Sequence, residues 1–196
     1  MSPQVTALRP ERRGRIAVEL DGERWRTLPV EVAATVGLVV GRDLDRPALR
    51  ELRRALRRSE ALASATRTLR HRDVSVQRLA QRLESAAIAP AARAEALDVL
   101  ARAGLVDDAR LAERRADELA ERRFGDEAIR HDLEGQGVSE ELREQAIAAL
   151  PDESERARMI VARRGHGPKT ARYLAAKGFG EDAVGAALAG SVAADT

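Results

Sequence analysis

One spacing recurs three times along this 196-residue chain and restricts its fold more than any other feature. Leu79, Leu83, Ala87, Ile88, Leu97 and Leu100 return fifty residues on, without a gap, as Ile129, Leu133, Gly137, Val138, Ile147 and Leu150. Forty-one residues further, Leu133, Gly137, Val138 and Ile147 become Leu174, Gly178, Phe179 and Leu188. The shared core is Leu, three residues, a small residue, an apolar residue, eight residues, an apolar residue. Self-similarity of this kind marks stacked supersecondary units, none of which buries its apolar face alone.

The copies share one helix grammar. In the middle copy Asp107 and Asp108 precede a helix to Phe124, whose stripe Leu111, Ala112, Ala116, Leu119, Ala120 and Phe124 keeps helical period. Gly125 is expected to stop it. A second helix is predicted from Asp126 to Glu134, ending at Gly135-Gln136-Gly137, and a third from the cap Ser139 to Leu150, broken by Pro151. Asp45 reads as an N-cap with Pro47 in the first turn, and Ser59 as the cap of a separate helix to Arg72. The predicted divisions are therefore an N-terminal extension at 1–44, a linking basic helix at 45–59, three-helix repeats at 60–104, 105–151 and 152–190, and a tail at 191–196. The fold class is mostly α, three tandem three-helix repeats in an elongated curved array.

The extension carries a hairpin signal. Arg15–Leu20 and Glu23–Leu28 flank Asp21-Gly22, a pair suited to a two-residue turn in which both positions need positive φ. Pro29 ends the second run, and a short helix from Val30 to Val36 is expected before Gly37 and Gly41.

Composition agrees with helix: apolar residues, mostly Ala, Leu and Val, make 44% of the chain, and the aromatics are only Trp25, Phe124, Tyr173 and Phe179. With no Cys, disulfide, thiolate and Cys-based metal chemistry is excluded. No apolar run is long enough to span a bilayer, and the polar start lacks a secretory hydrophobic core, so a cytoplasmic protein is expected. His71, His131 and His166 lack ligand spacing, so no metal is expected. In Gly165-His166-Gly167-Pro168-Lys169-Thr170, Pro168 stands where a phosphate loop needs Gly before Lys. No nucleophile elbow or carboxylate pair with split pKa values is legible. A non-enzymatic binding protein without cofactors is the reading these exclusions leave.

Charge is segregated. Residues 1–72 carry +7, residues 73–150 carry −6 and residues 151–196 carry +1, a pattern that suits a partner with its own charge distribution. Three surfaces are candidates. Arg50, Arg53, Arg54, Arg57 and Arg58 form a basic helix face suited to phosphates or an acidic patch. Arg163, Arg164, His166, Lys169, Arg172 and Lys177 cluster where Pro168 opens a helix. Asp107 and Asp108 have a sufficient role as helix-start acids, with partner contact as the rival role. For both basic clusters the plain alternative is a solvated face. Sequence-specific DNA reading is disfavoured, because Ser139–Leu150 carries Glu140, Glu141 and Glu144 against Arg143.

These residues also carry a resemblance. Ala103-Gly104-Leu105-Val106-Asp107-Asp108-Ala109-Arg110-Leu111-Ala112 resembles the Gly-Tyr-Leu-Asp-Asp-x-x-Phe-Ala signature of RecX recombination regulators. Phe124–Ile129 with Leu133–Val138 resembles that family's next motif, and Tyr173-Leu174-Ala175-Ala176-Lys177-Gly178-Phe179 its C-terminal one. The likeness covers residues 50–190. Leu105-Val106 and Leu111 replace the family's aromatics, and Ala87 replaces its glycine. The resemblance implies three tandem three-helix repeats and a modulator, usually an inhibitor, of the RecA recombinase, bound along the groove of the RecA–single-stranded-DNA filament. It implies lowered recombinase, ATPase and coprotease activities, within DNA repair and the SOS response. A monomer is expected, touching single-stranded DNA through RecA or weakly by itself. The alternative is an autonomous nucleic-acid-binding helical module.

Overall fold

The computed structural model describes residues 2–189; the predicted tail, 191–196, lies outside them. The described residues form three strands followed by ten helices. They divide into two compact units: the chain up to Arg72 with Leu79–Ala103, and Asp73–Arg78 with the chain from Gly104 onward.

In the first unit β1 (Val5–Glu11), β2 (Arg15–Leu20) and β3 (Glu23–Pro29) form an antiparallel sheet in that order. The expected hairpin is β2–β3, with Asp21 at φ 49° and Gly22 at φ 87° in its turn. Strand β1 was not legible in advance: its alternation is weak and Pro10 lacks an N–H, which an outer strand tolerates. Arg13 and Gly14 turn it into β2 at φ 61° and 66°. Helix α1 (Val30–Thr35) follows as expected, and Gly37, at φ 62°, redirects the chain. Val5, Val18 and Leu28 of the sheet pack with Val32, Ala33, Val36, Leu38, Leu44, Ala48 and Leu52 in one core. Each of these valines and leucines withdrawn from water contributes about 1.5–3 kcal/mol.

Helix α2 (Arg46–Leu69) is a single 24-residue helix, about 36 Å long. Asp45 caps it, its Oδ1 accepting the Ala48 N–H at 2.8 Å, and Pro47 lies in the first turn. The expected break at Ser59 does not occur. Strong helix formers on both sides carry the helix through, and the Ser59 hydroxyl donates instead to Glu31 Oε1 at 3.2 Å. Helix α3 (Val76–Ser85) and α4 (Pro90–Arg102) complete the first repeat, with α4 packed on α2.

The second unit holds α5 (Asp108–Glu121), α6 (Asp126–Gln136) and α7 (Glu140–Ala148), then α8 (Glu153–Arg164), α9 (Pro168–Ala176) and α10 (Glu181–Ala189). Leu111, Ala112, Ala116, Leu119, Ile129, Leu133, Val138, Ala146 and Ile147 form one core. Ala157, Ile160, Val161, Leu174, Phe179 and Ala187 form another. The caps at Asp107 and Ser139 are made. Helix α5 ends three residues before Phe124: Arg123, not Gly125, takes the left-handed turn at φ 63°. Gly125 is needed for another reason. A Cβ there would collide with the backbone of Gly178 and Phe179.

Candidate partner-binding surfaces

The repeats are joined through the ends of their middle helices, and this fixes what the paired aspartates do. Ser75, fully buried, accepts the Arg78 N–H to cap α3 and donates to the Gln136 carbonyl at the end of α6, at 2.6 Å. At the equivalent place one repeat later, the Gly125 N–H donates to the Lys177 carbonyl at the end of α9, at 2.9 Å. An acid from the following repeat closes each junction. Asp108 Oδ1 accepts the Val76 N–H at 2.9 Å, and Glu153 Oε1 accepts the Asp126 N–H at 2.7 Å. Glu153 also takes the Gly180 N–H through Oε2 at 3.2 Å. Beside it lies buried Arg156, which donates to the Phe124 and Pro151 carbonyls and to the Asp126 carboxylate.

Asp107 and Asp108 therefore both act as caps. Asp107 accepts the Arg110 N–H at 3.0 Å for its own helix; Asp108 reaches across to α3. Burial pushes the Asp108 carboxyl above its ordinary range, the Val76 N–H opposes that shift, and the Asp107 charge reinforces it. Only Asp107 is exposed. Some of the acids of the middle segment are paired from within. Arg115 makes a two-pronged pair with Asp132 at 2.7 and 2.9 Å, and Arg130 bridges Glu144 at 2.6 Å and Glu127 at 2.7 Å. The Arg130 hydrogen bond holds the Glu144 carboxyl below its usual range.

Helix α2 presents the least compensated charge. Arg50, Arg53, Arg57 and Arg58 are exposed and have no carboxylate partner among the described residues. Arg54 alone of the five is spent, on Glu95. Arg50, Arg53 and Arg57 follow three- and four-residue steps, so they share one side of the helix, and like charges at those steps repel. An anion on this face relieves that repulsion. The unbroken helix also carries Arg67 and Arg70, which line a groove of about 590 Å³ between α1 and α2, on a different side of the helix from Arg50, Arg53 and Arg57. Arg58 also lines this groove, whose one acid is Glu31.

The cluster in the last repeat is less free than its composition suggests. The Arg164 guanidinium stacks 4.0 Å from the Tyr173 ring centre, and the Lys177 ammonium sits 3.8 Å from that of Phe124. Arg172 Nε donates to the Pro168 carbonyl that opens α9, at 3.2 Å. Arg163 and Lys169 remain exposed and unpaired among the described residues. Each basic surface lies within one unit.

Sequence reasoning missed an apolar groove of about 480 Å³ in the second unit, floored by Ala120, Leu150, Met159, Ile160 and Phe179. Its one advance signal was Met159, an apolar residue outside the repeat pattern and 60% exposed. No group of three or more His, Cys, Asp or Glu among the described residues could hold a metal ion. Among the described residues no helix is long and apolar enough to cross a membrane.

Three-helix units joined by capped middle helices, with arginines on the first long helix that have no carboxylate partner among the described residues, define a helical-repeat class of protein. A "Regulatory protein RecX" from Chromohalobacter salexigens is 35% identical over 134 residues, spanning 64% of this chain and 88% of that protein. The chain belongs to the RecX family of regulatory proteins. Its fold matches a crystal structure of regulatory protein RecX with a TM-score of 0.78 at 18% identity, over 92% of this chain and 96% of that one. RecX from Lactobacillus salivarius aligns with a TM-score of 0.60 at 19% identity, over 67% and 94%. No family model matches the chain.

Proposed function

We propose that this protein binds the RecA recombinase on single-stranded DNA and lowers its strand-exchange, ATPase and coprotease activities, and so acts in recombinational repair and the SOS response. The supporting relationship is that to a regulatory protein RecX. The observation that carries a binding mode is the unpaired set Arg50, Arg53, Arg57 and Arg58 on α2, the first three on one side of the helix. Four guanidinium groups on one helix suit an acidic protein surface or the phosphates exposed along a filament. Arg163 and Lys169 supply a second, smaller basic contact, and Asp107 an acidic one. Arg54, Arg164, Arg172, Lys177 and Asp108 support these surfaces from within. The protein acts as a cytoplasmic monomer without a cofactor, and its own repeats carry no reaction.

The test is a titration into RecA-driven strand exchange and ATP hydrolysis at two salt concentrations, beside titrations of bare single-stranded and duplex DNA. Both reactions are expected to fall with added protein, less steeply at high salt. Tight binding to bare DNA with both reactions unchanged points instead to an autonomous nucleic-acid-binding module.

A further inference from the structure

The N-terminal sheet holds a feature that neither the repeats nor the recombinase reading uses. Trp25, the chain's one tryptophan, is 36% exposed on the outer strand β3. The nearby core is filled without it, by Val5, Val18, Leu28 and the helices behind them. Its backbone is irregular in a telling way. Val18 pairs with Arg26 but Glu19 pairs with Arg24, so Trp25 is the extra residue of a β-bulge. Bulges re-aim side chains. In a regular strand residues 25 and 26 point to opposite faces; here the Arg26 guanidinium carbon lies 5.1 Å from the Trp25 ring centre.

The charges around it are sorted. Arg9 and Arg24 are neutralised by Glu19 and Glu11. Arg12, Arg13, Arg15 and Arg26 are exposed and without a carboxylate partner among the described residues. The acids Asp21 and Glu23 close the opposite turn of the sheet. A polyanion is thus directed from Trp25 along β3 toward Arg15 and the Arg12-Arg13 turn. That distance is about 14 Å, four residues of extended chain, the span of a few nucleotides.

We propose that Trp25 and Arg26 form a base-stacking platform for single-stranded nucleic acid, with Arg12, Arg13 and Arg15 following its phosphates. An indole face and a guanidinium plane both stack on bases, and unpaired arginines supply the salt-dependent backbone attraction. A protein hot spot would ring the indole with apolar neighbours; Arg24, Arg26 and Glu23 flank this one. The proposal stands independently of the recombinase reading.

Because Trp25 is the sole tryptophan, its fluorescence reports the site in the full-length protein. Oligothymidylate is expected to quench the emission saturably, with the midpoint rising as salt is added. An abasic oligomer of equal length and polyglutamate of equal charge are expected to leave the emission unchanged. Trp25→Ala is expected to weaken oligothymidylate binding, read by anisotropy of a labelled oligomer, by roughly five- to a hundredfold. Trp25→Phe, which keeps a ring, should lose less, and a melting curve for each variant confirms folding. Unchanged emission at oligomer concentrations that saturate the anisotropy overturns the proposal. So does equal affinity of folded Trp25→Ala, equal quenching by polyglutamate, or no binding at all. Inhibition of the recombinase by Trp25→Ala reads the other hypothesis separately.

Discussion

The Asp108 carboxylate, on the first turn of α5, accepts the backbone N–H of Val76 at 2.9 Å and so caps α3. One repeat later Glu153, at the start of α8, does the same for Asp126 of α6 at 2.7 Å. The first helix of the second and of the third repeat thereby satisfies a donor at the start of the middle helix before it, a group that helix cannot satisfy internally.

Asp108→Ala should destabilise the protein by about 1 kcal/mol, the worth of a helix cap, and chemical denaturation measures it. Asp108→Asn keeps an acceptor for Val76 while removing the buried charge, so it should lose less. The pH dependence has a definite sign. Burial raises the folded carboxyl's pKa above the unfolded one, so the folded state binds the proton more tightly. Parent stability then declines through this group as pH rises from the unfolded carboxyl's range, about 4, through the raised folded one. The stability of Asp108→Asn relative to the parent should therefore improve over that interval. A difference that stays flat would show that this carboxyl does not titrate as described.

Three equivalent residues end the middle helices in left-handed backbone: Ala87 at φ 58°, Gly137 at φ 79° and Gly178 at φ 78°. Ala87→Gly should stabilise the protein by about 0.5–1 kcal/mol, the relief of a left-handed alanine less the extra freedom of unfolded glycine. Gly178→Ala should do the opposite and by more, about 2 kcal/mol, because its Cβ would also lie 2.6 Å from Ala128. Thermal melts of the pair give both signs.

Arg156 is buried and donates to two carbonyls and to Asp126. Arg156→Met should cost about 3 kcal/mol, since Asp126 loses its charged partner and both carbonyls their donor. Arg156→Lys should recover little, because an ammonium cannot reach three acceptors spread around a planar fork. Denaturation midpoints of the two variants would then nearly coincide.

Charge reversal at Arg50, Arg53 and Arg57 should weaken recombinase inhibition at least tenfold with unchanged circular dichroism. Reversal at Arg163 and Lys169 should weaken it less, since fewer unpaired cations remain there. Activity assays over protein concentration compare the two sets.

Much of the fold was legible because helix periods and caps are local. Asp45, Asp107 and Ser139 cap where side-chain type and position required. The Ser59 break failed because a serine among strong helix formers is only a weak stop. Strand β1 failed because its partner, not its own pattern, holds it in the sheet. The repeat also hid its tightest position. Ala96, Ala146 and Ala187 are equivalent and nearly inaccessible at 0%, 3% and 2%, yet alanine is too common here to stand out. At the candidate surfaces, helix spacing grouped Arg50, Arg53 and Arg57 correctly. It could not foresee that Arg54 would meet Glu95, Arg164 would stack on Tyr173, or Asp108 would cap a helix 32 residues earlier. Those partners sit on different helices and meet only through packing.

The most direct measurement is sedimentation of the protein with preformed RecA filaments on single-stranded DNA, set beside bare DNA. The protein should pellet with the filaments, less so as salt rises, and the triple reversal at Arg50, Arg53 and Arg57 should stay largely in the supernatant. Parent protein that remains in solution with filaments, or pellets equally with bare DNA, would contradict the account.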